Sequence, residues 1–408
     1  MQALLSCVSM EKDQLLVIGL FGFGVVGEGL YKVLQQTPSL NARIKKICIK
    51  NAGKPRMAPA ELFTTDKNDL LNDAEINVIV EVISESESAF DIVSTAMRKG
   101  KSVVSAGKKM IAEHFQELLE LQQDAKVSFL YEAAAGASIP IIRNLEEYYD
   151  NDLLHAMRAI VNGSTNYILT KMFEHDMEYD AALKQAQGLG FAESDPSLDT
   201  SGEDAAHKWT FLLSHGYGII PKKNELLFAG IENISTADAI VAKQKKYSIR
   251  LIAQARKLAN GSVAAFVLPQ FVTESDPLSF VKDEYNGVLV ESSFSDKQFF
   301  YGKGAGSFPT ASAVLSDLSA LRYHYKYEYK KLHHHSPLIL THDFHIRVYV
   351  RFDSIRLVPK DKFTIIEEWH SDIDQQYLVG ILPFAELVES NWWRQKEISL
   401  IVMPEPIV

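Results

Sequence analysis

The sequence predicts an α/β protein whose first third is a doubly wound parallel sheet and whose remainder is α+β. Two patterns carry that expectation. Up to about residue 140, apolar runs of strand length alternate with segments apolar at helical spacing, whereas further on helices are followed by several strands. A third observation, a glycine-rich turn between the first strand and the first helix, gives the first sheet a ligand.

At 408 residues the chain exceeds the ~100–200 of a single domain. The expected divisions are 1–140 for the first domain, with 303–325 returning to it, 141–302 for the second, and 335–408 for a small tail. Hydrophobic residues at 47% and charged residues at 23% suit a globular protein and exclude disorder and fibre. A net charge of −10 argues against a nucleic-acid or membrane surface, while leaving room for a local basic pocket. Cys7 and Cys48 are too few for a disulfide framework, an iron–sulfur cluster or a structural zinc site. The opening segment lacks the basic, apolar and cleavage regions of a secretory leader, and no apolar run reaches the ~18 residues of a membrane span. A cytoplasmic protein is expected.

The apolar run Leu15–Leu20 leads into Gly22-Phe23-Gly24-Val25-Val26-Gly27, after which Val26, Leu30, Val33 and Leu34 recur at helical spacing. Strand, G-x-G-x-x-G and helix in that order form a Rossmann-type dinucleotide site: glycines make the turn and let backbone approach a pyrophosphate. The second strand, Ile44–Ile49, ends at Lys50 and Asn51, where an NAD-selective site would place an acid. Lys50, Lys54 and Arg56 stand there instead, so NADP(H) is favoured over NAD(H); an ordinary basic loop would also account for Lys54 and Arg56. Strands at Val78–Ile83, Ser102–Ser105 and Val127–Tyr131, with helices at Ala89–Lys99 and Ile111–Leu121, complete the domain. Ser84 and Lys108 fall at strand exits, the edge at which open parallel sheets bind ligands.

Beyond Pro140 a strand at Ala156–Val161 meets the polar turn Asn162-Gly163-Ser164-Thr165-Asn166, which opens a helix at Tyr167–Phe173. Asn and Gly there supply turn geometry as readily as function. A helix spans about Glu178–Gln187, and another starts near Ser235 with Asp238 three residues on. Strands at Ile249–Ala253, Ala264–Leu268, Gly287–Val290 and Phe299–Tyr301 suggest a mostly antiparallel sheet that could pair two copies of the chain. Gly302-Lys303-Gly304-Ala305-Gly306 then runs into a helix through Leu321, a backbone-rich turn able to receive a phosphate, or a turn only. Tyr323, Tyr325, Tyr327 and Tyr329 alternate with polar residues as on a half-buried strand. His333-His334-His335, with His324, His342 and His345 near, has no cysteine or carboxylate at ligand spacing and reads as a linker.

The densest chemistry lies at Phe191–Lys208, where Glu193, Asp195, Asp199, Glu203, Asp204 and Lys208 gather behind Gly188 and Gly190. Thr200 or Ser201 can cap a helix whose first turn holds Glu203 and Asp204, acids suited to the positive end of its dipole. Asp204 and Lys208, four apart, then share one face. Taken alone, the pattern also fits a capped helix with a solvated ion pair.

Three motifs together resemble the homoserine dehydrogenases over roughly Leu15–Leu321: AQGLGFAESDPSLDTSGEDAAHK ending at Lys208, Asn162-Gly163-Ser164-Thr165-Asn166-Tyr167-Ile168-Leu169, and Gly304-Ala305-Gly306 with Pro309-Thr310-Ala311-Ser312-Ala313. The resemblance implies reversible, NAD(P)H-dependent reduction of L-aspartate 4-semialdehyde to L-homoserine, on the way to threonine and methionine. It carries Glu193, Asp199, Asp204 and Lys208 over as substrate-binding and catalytic residues and matches Lys108 to an active-site lysine. Lys208 is then the expected proton donor, with Lys108 a second cation between cofactor and substrate. Gly306 joins the six residues of the first turn, Lys50, Ser84 and Lys108 as the expected cofactor contacts. The family's structural monovalent cation, Na⁺ or K⁺, would fall on Glu132 and the carbonyls of Ala135, Ala137 and Ile139. A homodimer or homotetramer is implied.

Several positions depart from the family pattern. Gly107 precedes Lys108 where Asn is general, Ser84-Glu85 stand where many members have paired glycines, and Leu198 replaces an acid beside Asp199. The tail has the size and strand content of an ACT domain, yet Asp353-Ser354-Ile355-Arg356-Leu357 replaces the usual effector-binding turn. Two rival readings are another NADP-dependent dehydrogenase of a small amino acid or aldehyde, and a dinucleotide-sensing protein without turnover. An acyl-forming semialdehyde dehydrogenase would need a nucleophilic cysteine, and neither cysteine lies near a candidate site.

Overall fold

The computed structural model describes residues 15–151, 153–222, 224–334, 336–372 and 375–407. Cys7, the opening segment and His335 lie outside them. The chain forms two compact units, the first running to Ser138 and taking up Gly306–Glu328, the second comprising Ile139–Ala305 and the chain from Tyr329 on.

In the first unit β1 (Leu16–Phe21) is buried at every position, as a strand covered on both faces must be. There follow α1 (Val25–Gln36), β2 (Ala42–Cys48), β3 (Phe63–Thr64), α2 (Asn68–Leu71), β4 (Val78–Glu81), α3 (Ser86–Arg98), β5 (Ser102–Ser105), α4 (Lys108–Glu113), α5 (Phe115–Ala125), β6 (Phe129–Leu130) and α6 (Glu132–Gly136). The strands are parallel in the order β3-β2-β1-β4-β5-β6, so the direction of winding reverses between β1 and β4 and opens a crevice at their carboxyl ends. The single helix expected over 111–121 is two helices. They break at His114, whose ring stacks on Phe90 with centroids 3.8 Å apart, and the earlier helix begins at Lys108.

The second unit opens with β7 (Leu154–Ile160), α7 (Gly163–His175), α8 (Tyr179–Gly188), α9 (Ser197–Thr200), α10 (Glu203–Tyr217), β8 (Leu227–Phe228), α11 (Thr236–Gln244), β9 (Tyr247–Lys257), β10 (Val263–Thr273), β11 (Tyr285–Ser292) and β12 (Asp296–Lys303). Ser235 and Asp238 form the reciprocal cap of α11 that their spacing predicts. The chain then returns to the first unit as α12 (Ser307–Leu321), which packs on α1; Ser307 Oγ donates to the Val25 carbonyl at 2.7 Å.

Back in the second unit come β13 (His345–Phe352), β14 (Ile365–Ser371), β15 (Gln376–Pro383), α13 (Phe384–Glu389) and β16 (Ile398–Ile407). The sheet runs β12-β11-β7-β9-β10-β16-β13-β15-β14, with β8 also on β10. It is antiparallel except where β10 meets β8 and where Gln270 of β10 meets Val402 of β16. The tail thus continues the sheet of the second unit, and a shared core of Phe266, Phe344, Val348, Phe384 and Val402 lies across the junction.

The alternating tyrosines are not on a strand. In the first unit the carbonyls of Tyr325 and Tyr327 accept from Ser128 Oγ at 2.7 Å and Gln122 Nε2 at 3.0 Å, so side chains bond the backbone of this segment. Among the described residues no helix is long and apolar enough to cross a membrane.

Candidate active site

In the first unit the turn between β1 and α1 has the shape a dinucleotide needs. Gly22 holds φ at 98°, and a Cβ there would lie 2.9 Å from the Val82 carbonyl oxygen. Gly24 faces open space, with no atom within 4 Å of where its Cβ would be. The amide end of α1 is therefore open to a pyrophosphate, flanked by exposed Val25 and half-buried Val26, with Gly27 buried below. Phe23 meets Phe63 edge-on at 5.2 Å.

Past β2, a cavity of about 570 Å³ is lined by Ile49, Lys54, Arg56, Phe63 and their neighbours. Arg56 donates to the carbonyls of Asn51 at 2.5 Å and Lys54 at 2.9 Å and lies over the Phe63 ring, so its positive charge is fixed on the cavity wall. Lys50 is exposed. Glu85, whose carboxylate caps α3, is held below the usual range by its bonds from Ser88, with a smaller contribution from Lys50. Ser84 is exposed in the connection from β4 to α3, Lys108 is the half-buried first residue of α4, and Gly306, at φ 113°, precedes α12.

A group that the sequence reading missed lies under these loops. Glu81, the last residue of β4, is wholly buried; it accepts from Ile83 N–H at 2.7 Å and from Ser105 Oγ at 2.5 Å. Its position on an otherwise apolar strand, VIVE, was the available signal. Burial pushes its carboxyl up to about 7. The group is protonated in both folded and unfolded chains below the ordinary value of 4.5, and ionised in both above about 7. Between those values the folded form binds the extra proton, so stability falls as pH rises, by of the order of 3 kcal/mol in all. Glu81→Gln will flatten that slope, measured by urea unfolding at intervals from pH 4.5 to 7.5; an unchanged slope would place the titration elsewhere.

In the second unit the acidic stretch forms a closed network. Lys208 and Asp204, each 5% exposed, pair at 2.8 Å on α10. Lys208 Nζ also donates to the Val161 carbonyl at 2.6 Å. Asn162 Nδ2 donates to both Asp199 Oδ1 at 2.7 Å and Asp204 Oδ2 at 2.8 Å, while its Oδ1 accepts from Thr165 N–H at 2.8 Å and caps α7. One amide thus separates two carboxylates and starts a helix. Asn162, read from the sequence as turn geometry, is the second residue that reading left without a role.

The cap expected from Thr200 or Ser201 is not formed in that way. Gly202, at φ 84°, is the N-cap of α10; Thr200 sits in α9 with its hydroxyl on Glu232 at 3.1 Å, and Ser201 Oγ only accepts from Glu203 N–H at 3.3 Å. Glu193 is exposed, and Gln187 Nε2 anchors its loop through the carbonyls of Glu193 at 3.0 Å and Ser194 at 3.3 Å. Asp199, Asp204 and Lys208 are brought together through Asn162, while Glu193 stands on the exposed loop before α9.

Of the four residues expected to hold a cation, Glu132 opens α6, Ala135 lies within it and Ala137 follows at φ 46°, all buried. The Glu132 amide is bonded to Asp317 at 3.0 Å. Ile139, also buried, begins the second unit.

The chain resembles known proteins over most of its length. Residues 22–132 match the family model described as "Homoserine dehydrogenase, NAD binding domain", and residues 140–319 the one described as "Homoserine dehydrogenase". A homoserine dehydrogenase of Bacillus subtilis is 37% identical over 314 residues, 74% of this chain and 72% of that one, and one of Corynebacterium glutamicum is 35% identical over 74% and 70%. Among solved structures, a homoserine dehydrogenase from Thiobacillus denitrificans superposes with a TM-score of 0.82 at 28% identity, covering 95% of this chain and 98% of that one. A hyperthermophilic archaeal homoserine dehydrogenase in complex with NADPH gives a TM-score of 0.65 at 26% identity, over 76% and 99%.

Proposed function

Because the chain belongs to the homoserine dehydrogenase family, and is thus an NAD(P)-dependent oxidoreductase linking L-aspartate 4-semialdehyde and L-homoserine in threonine and methionine biosynthesis, we propose that Lys208 is its proton donor. The observation that carries this reading is the fixed ammonium: a buried lysine tied to a buried carboxylate at 2.8 Å and to a backbone carbonyl at 2.6 Å, with Asp199 joined to that carboxylate through the Asn162 amide. When bound, the nicotinamide supplies or accepts the hydride. Lys208 gives a proton to the carbonyl oxygen of the semialdehyde as the alcohol forms and takes it back in the reverse direction. Asp204 holds that ammonium in place, and with Glu193 and Asp199 it binds the substrate amino and hydroxyl groups. Lys108 adds a second cation on the cofactor side.

The basic wall formed by Lys54 and Arg56 supports NADP(H) over NAD(H), with Gly22–Gly27, Lys50, Ser84 and Gly306 as the other cofactor contacts. Replacing Lys54 and Arg56 together by alanine will raise the KM for NADP⁺ about tenfold and leave that for NAD⁺ nearly unchanged, the loss of about one charge–phosphate contact. Equal changes for both cofactors would remove these residues from phosphate recognition. Glu132 with the carbonyls of Ala135, Ala137 and Ile139 remains the candidate set for Na⁺ or K⁺. A cytoplasmic homodimer or homotetramer built on the antiparallel sheet completes the proposal.

The deciding experiment is reduction of NADP⁺ by the purified protein with L-homoserine, run beside NAD⁺ and with and without L-threonine. Homoserine-dependent turnover supports the reading, and insensitivity to threonine fits a tail without the usual effector turn. NADPH binding without turnover with either cofactor would instead favour another small amino-acid or aldehyde dehydrogenase first and the sensor second.

A further inference from the structure

Glu81 is a buried titratable group for which the reaction as derived has no use. It stands at the carboxyl end of β4, beside the point at which the winding of the first sheet reverses. One carboxylate oxygen accepts from Ile83 N–H at 2.7 Å, in the connection to α3. The other accepts from Ser105 Oγ at 2.5 Å, and that hydroxyl in turn accepts from Gly107 N–H at 3.0 Å, one residue before Lys108. The Ile83 side chain packs beneath the glycine turn, where a Cβ on Gly22 would lie 3.1 Å from its Cγ2. Two loops at one edge of the sheet therefore meet on a single carboxyl group, and the glycine turn rests on Ile83 of one of them.

The fit leaves no slack at Gly107: a Cβ there would lie 2.7 Å from Glu81 Oε2. A side chain at this position would expel the carboxyl or shift the turn that leads into Lys108. The departure to glycine before Lys108 thus has a physical partner in Glu81.

We propose that Glu81, acting through Ser105, is a positioning residue that sets the Val82–Ser84 and Ala106–Lys108 loops for the nicotinamide end of the cofactor. The inference rests on the reading of the glycine turn as the cofactor site. Glu81 does not touch the reacting atoms; its bonds fix backbone that does.

Two variants separate its arms. Glu81→Gln keeps the carbonyl acceptor for Ile83 N–H but turns an amide donor toward Ser105 Oγ, which already accepts from Gly107 and loses its own acceptor. Ser105→Ala removes the same link from the other side and is small enough to fold. Above pH 7, where Glu81 is ionised and accepts both bonds, each will weaken NADPH binding about 5–10-fold, read by nucleotide fluorescence titration, and lower kcat while the KM for homoserine stays within about twofold. The double variant will be no worse than the poorer single one, because both cut one chain. Gly107→Ala will give the same pattern. NADPH affinity and kcat within about twofold of the parent in both single variants, with only a lower Tm, would overturn the proposal, as would losses that simply add. Failure of the parent protein itself to bind NADPH would instead remove the cofactor reading on which the inference stands.

Discussion

Replacing Lys208 by alanine will lower homoserine oxidation by about 10²–10⁴-fold while NADPH affinity stays within about twofold. The affinity is spared because Lys208 lies in the second unit and the glycine turn in the first. Turnover is lost because the alanine has no proton to give. The substitution also leaves Asp204 buried without its counter-ion, a change that costs about 3–5 kcal/mol where nothing else compensates; the bond from Asn162 Nδ2 at 2.8 Å offsets part of it. Lys208→Arg separates the two effects. A guanidinium keeps the charge beside Asp204 but does not deprotonate at working pH, so this variant will stay folded and remain as slow as the alanine variant. Turnover within about threefold of the parent in either variant would refute the role given to Lys208.

Asn162→Asp will cost at least about 10²-fold in kcat/KM near pH 8, with partial recovery as pH is lowered. The change is nearly isosteric, yet it exchanges the one donor shared by Asp199 and Asp204 for another acceptor. Three carboxylates within hydrogen-bond distance cannot all remain ionised in place: either one takes up a proton or, near pH 8 where protons are scarce, Asp204 turns away from Lys208. Lower pH supplies that proton without a conformational cost and restores a shared hydrogen bond. The α7 cap survives, since aspartate also accepts from Thr165 N–H, and the helix content seen by circular dichroism will not change. A pH profile parallel to that of the parent would show that the bridging amide does not hold the acids.

Much of the site is legible in the sequence. The first glycine turn, Lys108 at a strand exit, and the pairing of Asp204 with Lys208 all follow from local spacing, because the turn, the strand end and the i,i+4 relation of a helix are local rules. Local rules failed where a residue's partner is distant in sequence. Thr200 has the spacing of a cap but gives its hydroxyl to Glu232, and the tyrosines from 323 to 329 have the alternation of a strand but the carbonyls of Tyr325 and Tyr327 are bonded by Ser128 and Gln122. Asn162 was read as a turn residue because nothing nearby reveals that it meets acids 37 and 42 positions later.

By itself, the sequence determined the α/β class, the glycine turn between the first strand and the first helix, the pairing of Asp204 with Lys208 and the family to which they belong. Those features depend on periodicity, glycine conformations and residue types that recur in order. Tertiary structure alone decided that the tail strands continue the second sheet, that a single amide keeps Asp199 and Asp204 apart, and that Glu81 lies buried where two loops meet. Burial and long-range hydrogen bonding have no period along a chain. They exist only when segments far apart in sequence exclude water together, and that exclusion is what pushes Glu81 up to about 7.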